Sequence, residues 1–349
     1  MNVPPYLDDY SAILNNPRIT QIANLPLIFS DFFVGRGMVQ LTFVLEWYTF
    51  KDVKHAIHAM HITNIVFHLI TILLVYFFAR VCWKFFYPQI QEETHWKYHG
   101  WIAACVFAIH PINTQPVTYI ISRADVMVTI FYLLGIIFPL IILQKYWIGT
   151  HSIERKVIAF GTSLLVLGTF FILGFSCKEI IITLPAVFVL LCLYAMRNQP
   201  VGALIRKIVL FCIPILIAMG SYLLYRKMKT GDYLYFPDME VRTPWINFYT
   251  QICIVAMYYF PRIILPINLL LRPPFPLAVS FFDLRLIFSG SFLLGILAGA
   301  IFCFRKKPVI SFGILWFFIT LSPTSTFLPL WDLIAERRLY LPMVGIALA

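Results

Sequence analysis

The stretch Ile57-His58-Ala59-Met60-His61-Ile62-Thr63-Asn64-Ile65-Val66-Phe67-His68-Leu69-Ile70-Thr71-Ile72-Leu73-Leu74-Val75-Tyr76-Phe77-Phe78-Ala79-Arg80 decides the fold class. It holds no Asp, Glu or Lys, and its first Arg is its last residue. A mostly apolar run of about 20 residues crosses the hydrocarbon of a bilayer as a helix. A span is therefore predicted at about 57–80, closed by Arg80 and Lys84 as interfacial anchors. His58, His61 and His68 fall near one face at helical spacing. A metal site needs converging ligands, which spacing alone does not supply. The polar face of His61, Asn64 and His68 is expected to touch neighbouring helices or a lipid headgroup, and no metal is assigned to it.

The whole chain agrees with this reading. Of its 349 residues, 60% are hydrophobic and only 12% charged, so a water-facing surface could not be covered. In lipid the backbone must satisfy its own hydrogen bonds, and long continuous apolar runs do so as helices, so an all-α polytopic membrane protein is the predicted class. The net charge of +11 does not point to nucleic acid, because the cations sit at the ends of apolar runs. The seven cysteines lie mostly inside such runs without metal-ligand spacing, and read as small hydrophobes. Met1 leads straight into Pro4-Pro5 with no secretory signal, and Ala349 interrupts an apolar run, so both ends read as cuts in something longer.

Residues 1–54 read as an outer-face N-terminal region without a span, and residues 55–349 as the multi-span domain. Asp8-Asp9 is the notable feature of the first region. Two adjacent carboxylates just outside a membrane can act as a base on an incoming hydroxyl; equally, they can sit in a solvated arm. Gly35-Arg36-Gly37 reads as a hinge carrying one cation, and 38–50 as an interfacial helix or partial span. Residues 85–99 read as a polar loop. The climb from Trp101 stops at His110-Pro111, and Pro116 with Arg123 and Asp125 follows. Such a segment fits a short helix to the outer face, an in-plane helix, then a span at about 126–143.

Further spans are predicted at about 157–176, 180–196 (with Pro185 inside), 208–225, 285–304 and 309–328. Lys178-Glu179 lies between two apolar runs, where charge is costly unless it meets water, protein or a ligand; a mutually paired turn is the simpler alternative. With Arg80/Lys84, Arg155/Lys156, Arg206/Lys207 and Arg305/Lys306/Lys307 cytoplasmic, Asp8/Asp9, His110 to Asp125, Lys178/Glu179 and Glu336/Arg337 share the outer face. The parity requires 247–268, broken by Pro261 and Pro266, not to cross fully. Arg226 to Lys229 then becomes an outer basic cluster, a candidate phosphate contact. No short repeat, Gly-rich phosphate loop, nucleophile triad or zinc finger is visible.

Phe107-Ala108-Ile109-His110-Pro111-Ile112-Asn113-Thr114-Gln115-Pro116-Val117-Thr118-Tyr119-Ile120-Ile121-Ser122-Arg123 resembles the signature of the transmembrane and tetratricopeptide-repeat-containing O-mannosyltransferases and their bacterial relatives, with Gln115 where the family usually has Glu. Other stretches match in order. Asp8-Asp9 resembles the family's acidic pair. Arg36 to Thr42 resembles its Arg-Pro-Leu motif, with Gly37 in place of the proline. His61, Asn64 and His68 resemble its His-x-x-Asn-x-x-x-His helix. Lys178-Glu179 with Leu184-Pro185, and Glu336-Arg337-Arg338-Leu339-Tyr340-Leu341-Pro342 with Gly345, resemble two more. Phe312 to Pro342 looks most like the bacterial branch.

The resemblance implies a GT-C-like transmembrane bundle that transfers a sugar, mannose or another hexose, from a polyprenyl phosphate to a hydroxyl, with Ser/Thr of an exported protein as acceptor. It implies inversion at C1, one of Asp8 and Asp9 as base, and Arg36, Arg123, Lys178, Arg337 and Arg338 around the leaving phosphate. Glu179, Glu336 and Asp125 would orient those cations, and His110 would support sugar or phosphate. It also implies a span before the acidic pair and repeats after the membrane part. No cofactor beyond the lipid-linked donor is called for; a divalent metal stays open, with nothing in the sequence to support it. The expected partners are that donor, an exported protein and the bilayer; the expected place is a bacterial inner membrane with its active face periplasmic, or an endoplasmic reticulum membrane with its active face lumenal. A non-catalytic scaffold, a transporter and a transferase acting on lipid or polymer are the other readings that fit these residues.

Overall fold

A computed structural model describes residues 8–33, 36–50, 52–90, 92–147, 152–197 and 242–349, together with Pro5, Gly220, Leu224, Lys227 and Met228. The span expected at 208–225 and the cluster expected at Arg226 to Lys229 lie almost wholly outside these residues. Every regular element among them is helical, and the chain is an all-α polytopic membrane protein. Among the described residues, four helices are long and apolar enough to cross a membrane. The chain forms two compact units: Met1–Ile109 with Asn113–Leu184, and His110–Ile112 with Pro185–Ala349.

In the first unit, short helical turns from Tyr10 to Ser30 lead to α1 (Gly37–Phe50). At 14 residues and roughly 1.5 Å each, α1 is too short to span. Its start is tightly built. The Gly37 N–H donates to Phe32 O at 2.8 Å, and a Cβ on Gly37 would lie 2.3 Å from the Phe32 ring. Arg36, just before it, is left-handed at φ 58°. The long helix α2 (Val53–Phe86) begins where Asp52 accepts the His55 N–H. Its 34 residues give roughly 50 Å, so its ends project beyond about 30 Å of hydrocarbon.

The polar loop expected over 85–99 is instead a tight turn followed by α3 (Glu93–Ile109). Glu93 and Lys97 pair at 3.5 Å one turn apart on that helix, so their polarity marks an exposed helix face. Short helical turns at Pro111–Asn113, Thr114–Thr118 and Ile120–Ser122 then lead into α4 (Arg123–Trp147). This helix is the centre of the unit: 67% of its most apolar stretch is buried, against 28% for α2 and 22% for α5 (Ile153–Phe175). The predicted span with Pro185 inside begins differently. A 3₁₀ turn, Glu179–Thr183, precedes α6 (Leu184–Ala195), which belongs to the second unit from Pro185 onward; Pro185 lies in its first turn, where the missing N–H costs nothing.

In the second unit, α7 (Pro244–Ile254) is capped by Thr243 and runs through a π-helical turn, Val255–Tyr259, into the helical turn Phe260–Ile264. An irregular segment from Leu265 to Asp283 follows. Then come α8 (Leu284–Lys306), α9 (Pro308–Leu321) and α10 (Tyr340–Leu348). The helix at the predicted 309–328 span thus ends at Leu321. α9 and α10 meet through glycines: a Cβ on Gly345 would lie 2.6 Å from Gly313 O and 2.6 Å from the Trp316 ring. The Trp316 indole N–H seals the contact on Leu341 O at 3.0 Å. Small residues permit such close helix approach in membranes. Gly345→Ala is expected to lower stability by about 1–3 kcal/mol through overpacking, read as a fall in the thermal unfolding midpoint in detergent. An unchanged midpoint would contradict the close contact.

Candidate functional site

The first unit gathers five of the predicted segments at one end of its helices. The Asp8 N–H donates to the Tyr119 hydroxyl at 3.1 Å. The Asp9 carboxylate accepts the Ile121 N–H at 3.0 Å. The acidic pair is therefore seated on the His110-to-Asp125 stretch and is not a solvated arm. The two carboxylates have different surroundings: Asp9 is 2% exposed, whereas Asp8 is only half-buried. Burial, with the Asp8 and Asp9 charges, holds the Tyr119 hydroxyl well above its ordinary pKa, so it stays protonated beside Asp8.

Lys178 and Glu179 each reach a partner distant in the chain. Lys178 Nζ meets Asp125 at 2.5 Å, and Glu179 lies 3.6 Å from Arg36. The Met38 N–H also donates to Ser176 O, which ties the start of α1 to the α5–α6 connection. Arg36 and Glu179 keep 42% and 43% of their side chains exposed, so this ion pair is open to a charged ligand.

Arg123 is placed otherwise. It is fully buried and bonds to Glu46, Thr42, Asn64 and Met60 O, each at 2.7–2.8 Å, over the Phe43 ring. Asn64, equally buried, donates to Val117 O and Ile120 O. Asn64 thus joins α2 to the turns before α4 and to Arg123 at its start. His61 is buried and His68 packs against Phe107. Among the described residues no three His, Cys, Asp or Glu side chains converge on a point that could hold a metal.

The second unit holds the remaining predicted residues. Arg337 meets Asp332 at 2.6 Å, and Arg272 meets the other oxygen of the same carboxylate at 3.0 Å. Arg338 is buried, its guanidinium turned onto the carbonyls of Asp332, Leu333 and Thr324. Glu336 accepts from the Tyr258 hydroxyl at 2.7 Å and from the Leu270 N–H at 3.1 Å, so it orients these groups and not Arg337. Burial raises its carboxyl above the ordinary range, against the opposing pull of these bonds and of Arg262. His110 is used at both nitrogens. Nδ1 accepts the Ile112 N–H, which leaves Nε2–H to donate to Ile263 O at 2.8 Å.

Glu46, Asp332 and Tyr119 were not singled out from the sequence as site residues. Glu46 had a signal, being the one charge in the apolar run 38–50. Asp332 had none, since Arg272 is 60 residues away in the chain.

Comparison with known proteins supports the resemblance read from the motifs. The chain is 23% identical over its whole length to a protein O-mannosyl-transferase of Caenorhabditis elegans, covering 49% of that protein. It is 26% identical over 97% of its length to human protein O-mannosyl-transferase TMTC4, covering 51% of it. A 33% identical match to human TMTC1 covers 37% of this chain and 14% of that protein. The chain spans about half the length, or less, of these curated relatives. No family model and no solved structure matches it.

Two outcomes follow from this geometry. Arg123→Met strands Glu46 in a buried place and is expected to cost about 3–5 kcal/mol, read by thermal unfolding; the double change with Glu46→Leu is expected to recover part of the loss. The folded state holds the Glu336 proton more tightly than the unfolded one, so the second unit loses stability as pH rises from the ordinary carboxyl range through the raised value. Glu336→Gln keeps an acceptor for Tyr258 and Leu270 and should flatten that slope in a pH series of unfolding midpoints.

Proposed function

We propose that the protein is a GT-C-type membrane glycosyltransferase that moves mannose or another hexose from a polyprenyl phosphate to a Ser or Thr hydroxyl of an exported protein. The observation that carries this reading is the acidic pair seated on the motif stretch through Tyr119 and Ile121. The relatives, protein O-mannosyl-transferases, agree with the transfer and with the class of acceptor.

The two carboxylates divide the work. Asp8, half-exposed, is the base; Asp9, buried on the Ile121 N–H, positions the pair. The acceptor oxygen attacks C1 from the side opposite the phosphate, and its proton passes to Asp8. The C1–O bond to the phosphate breaks, the polyprenyl phosphate leaves with the electron pair, and the configuration at C1 inverts. Protonated Tyr119 offers its O–H to Asp8, which fixes the carboxylate's aim. Charge growing on the leaving phosphate needs donors placed beforehand. Arg36 and Lys178 in the first unit fit that role, each braced by a carboxylate, Glu179 and Asp125. Arg123 and Arg338, engaged by the protein itself, are braces. The reaction belongs on the non-cytoplasmic face, periplasmic or lumenal.

Asp8→Asn in the full-length protein is expected to cut transfer about 10²–10⁴-fold with the fold intact. Asp9→Asn is expected to lower transfer and the unfolding temperature together. The measurement is glycopeptide mass analysis of exported proteins, with and without each variant. Parental hexose transfer by both variants and by the double mutant would end the assignment of the base.

A further inference from the structure

The turn that leads into α8 carries residues unsuited to water. Ser280, Phe281, Phe282 and Asp283 form it: the Asp283 N–H donates to Ser280 O at 3.2 Å, and the Phe282 N–H donates to the Ser280 hydroxyl at 3.2 Å. The central positions of a turn ordinarily hold Gly, Pro, Asn, Asp or Ser. Here both are phenylalanine, 64% and 80% exposed, and Val279 before them is 69% exposed.

Hydrogen bonds and packing hold this corner in place. The buried Thr250 hydroxyl accepts the Ala278 N–H at 3.0 Å, and Ala278 is itself buried with Cys253 and Leu286. Arg285 donates to Leu277 O at 3.1 Å and pairs with Asp283 at 2.5 Å. The Phe281 ring meets Tyr249 edge-on at 6.1 Å. Pro273, Pro274 and Pro276 stiffen the approach. The two rings are therefore displayed outward by a fixed framework.

The level of the corner follows from its neighbours. Leu284, the next residue but one after Phe282, opens the membrane-crossing helix α8. Phe288 and Phe292, 72% and 49% exposed, continue the apolar surface along that helix. Irregular backbone is not tolerated in bare hydrocarbon, where its N–H and C=O groups find no partners. The Asp283–Arg285 pair likewise belongs among headgroups. The boundary between headgroups and acyl chains suits the backbone, the ion pair and the rings together. Arg305-Lys306-Lys307 closes the other end of α8 and is kept cytoplasmic by the positive-inside tendency, so the corner belongs to the opposite leaflet.

We infer that the Ser280–Asp283 turn is a lipid-binding wedge whose Phe281 and Phe282 rings enter the acyl chains of the non-cytoplasmic leaflet beside α8. No step of the proposed transfer requires the wedge, which stands whether or not a sugar is moved.

The test places a photoreactive p-benzoylphenylalanine at position 282 of the full-length protein, reconstituted in vesicles of phosphatidylcholine and phosphatidylglycerol. On irradiation the benzophenone inserts into C–H bonds that it touches and does not add to water. Intact-mass and peptide analysis is expected to show phospholipid adducts joined through the acyl chain, in a yield comparable to that of the same probe at position 288 on α8. Absence of adducts at 282, with 288 labelled, places the turn in water and overturns the wedge. Adducts to protein, whether a second copy of this chain or another partner, overturn it as well. Should the probe at 282 lower the unfolding temperature, the exposed position 279 carries it instead: acyl-chain adducts there uphold the wedge, and their absence or replacement by protein adducts overturns it.

Discussion

A guanidinium group withdrawn from water must find all its partners in protein, and Arg123 does. It stands at the first turn of the most buried helix in its unit and draws in α1 through Thr42 and Glu46 and α2 through Asn64 and Met60 O. Asn64 then reaches the carbonyls of Val117 and Ile120, the peptides on either side of the residue that receives Asp8. The seat of the acidic pair is therefore set by a buried charge that does not touch it. Removing either partner of such a pair is far more damaging than replacing both, which makes the arrangement a constraint on three helices at once.

The helices were legible where composition alone decides. An uncharged apolar run such as 57–80 has one solution in lipid. Polarity was a poorer guide at 85–99, where Glu93 and Lys97 pair along one helix face and Arg80 reaches Glu93 from another. Charged residues there mark a wet surface, which a loop and an exposed helical turn share. At the candidate site the sequence named most of the charged groups but not their pairing. Lys178-Glu179 offered itself as a self-paired turn, yet each residue pairs with a partner more than 50 residues away in the chain. Ion pairing is decided by tertiary contact, and neither spacing nor residue type carries that information. Motif membership likewise could not separate Arg337, set on a carboxylate near the surface, from Arg338 beside it, buried on carbonyls.

The two acids at the N-terminus show how one dipeptide supports two chemistries. Adjacent residues in a helical turn point in different directions, so one can be buried and the other left partly open. Asp9 satisfies a backbone N–H at the entry to the central helix, and that bond fixes where Asp8 stands. Hydrogen-bonding a carboxylate to backbone costs it mobility and gives its neighbour a defined position. This is the usual relation between a positioning group and a reacting one.

Gly37 has a meaning beyond its own turn. The Phe32 ring occupies the volume a side chain would need, and Phe32 O takes the N–H that a proline would lack. The resembling motif carries proline at this position, so the two solutions cannot be interchanged one residue at a time. Passing from one to the other requires the aromatic ring to leave before the pyrrolidine arrives. A lineage making that change would have to cross an intermediate with either a vacant pocket or a clash. Residues 32 and 37 are thus expected to be inherited together, as a single unit of variation.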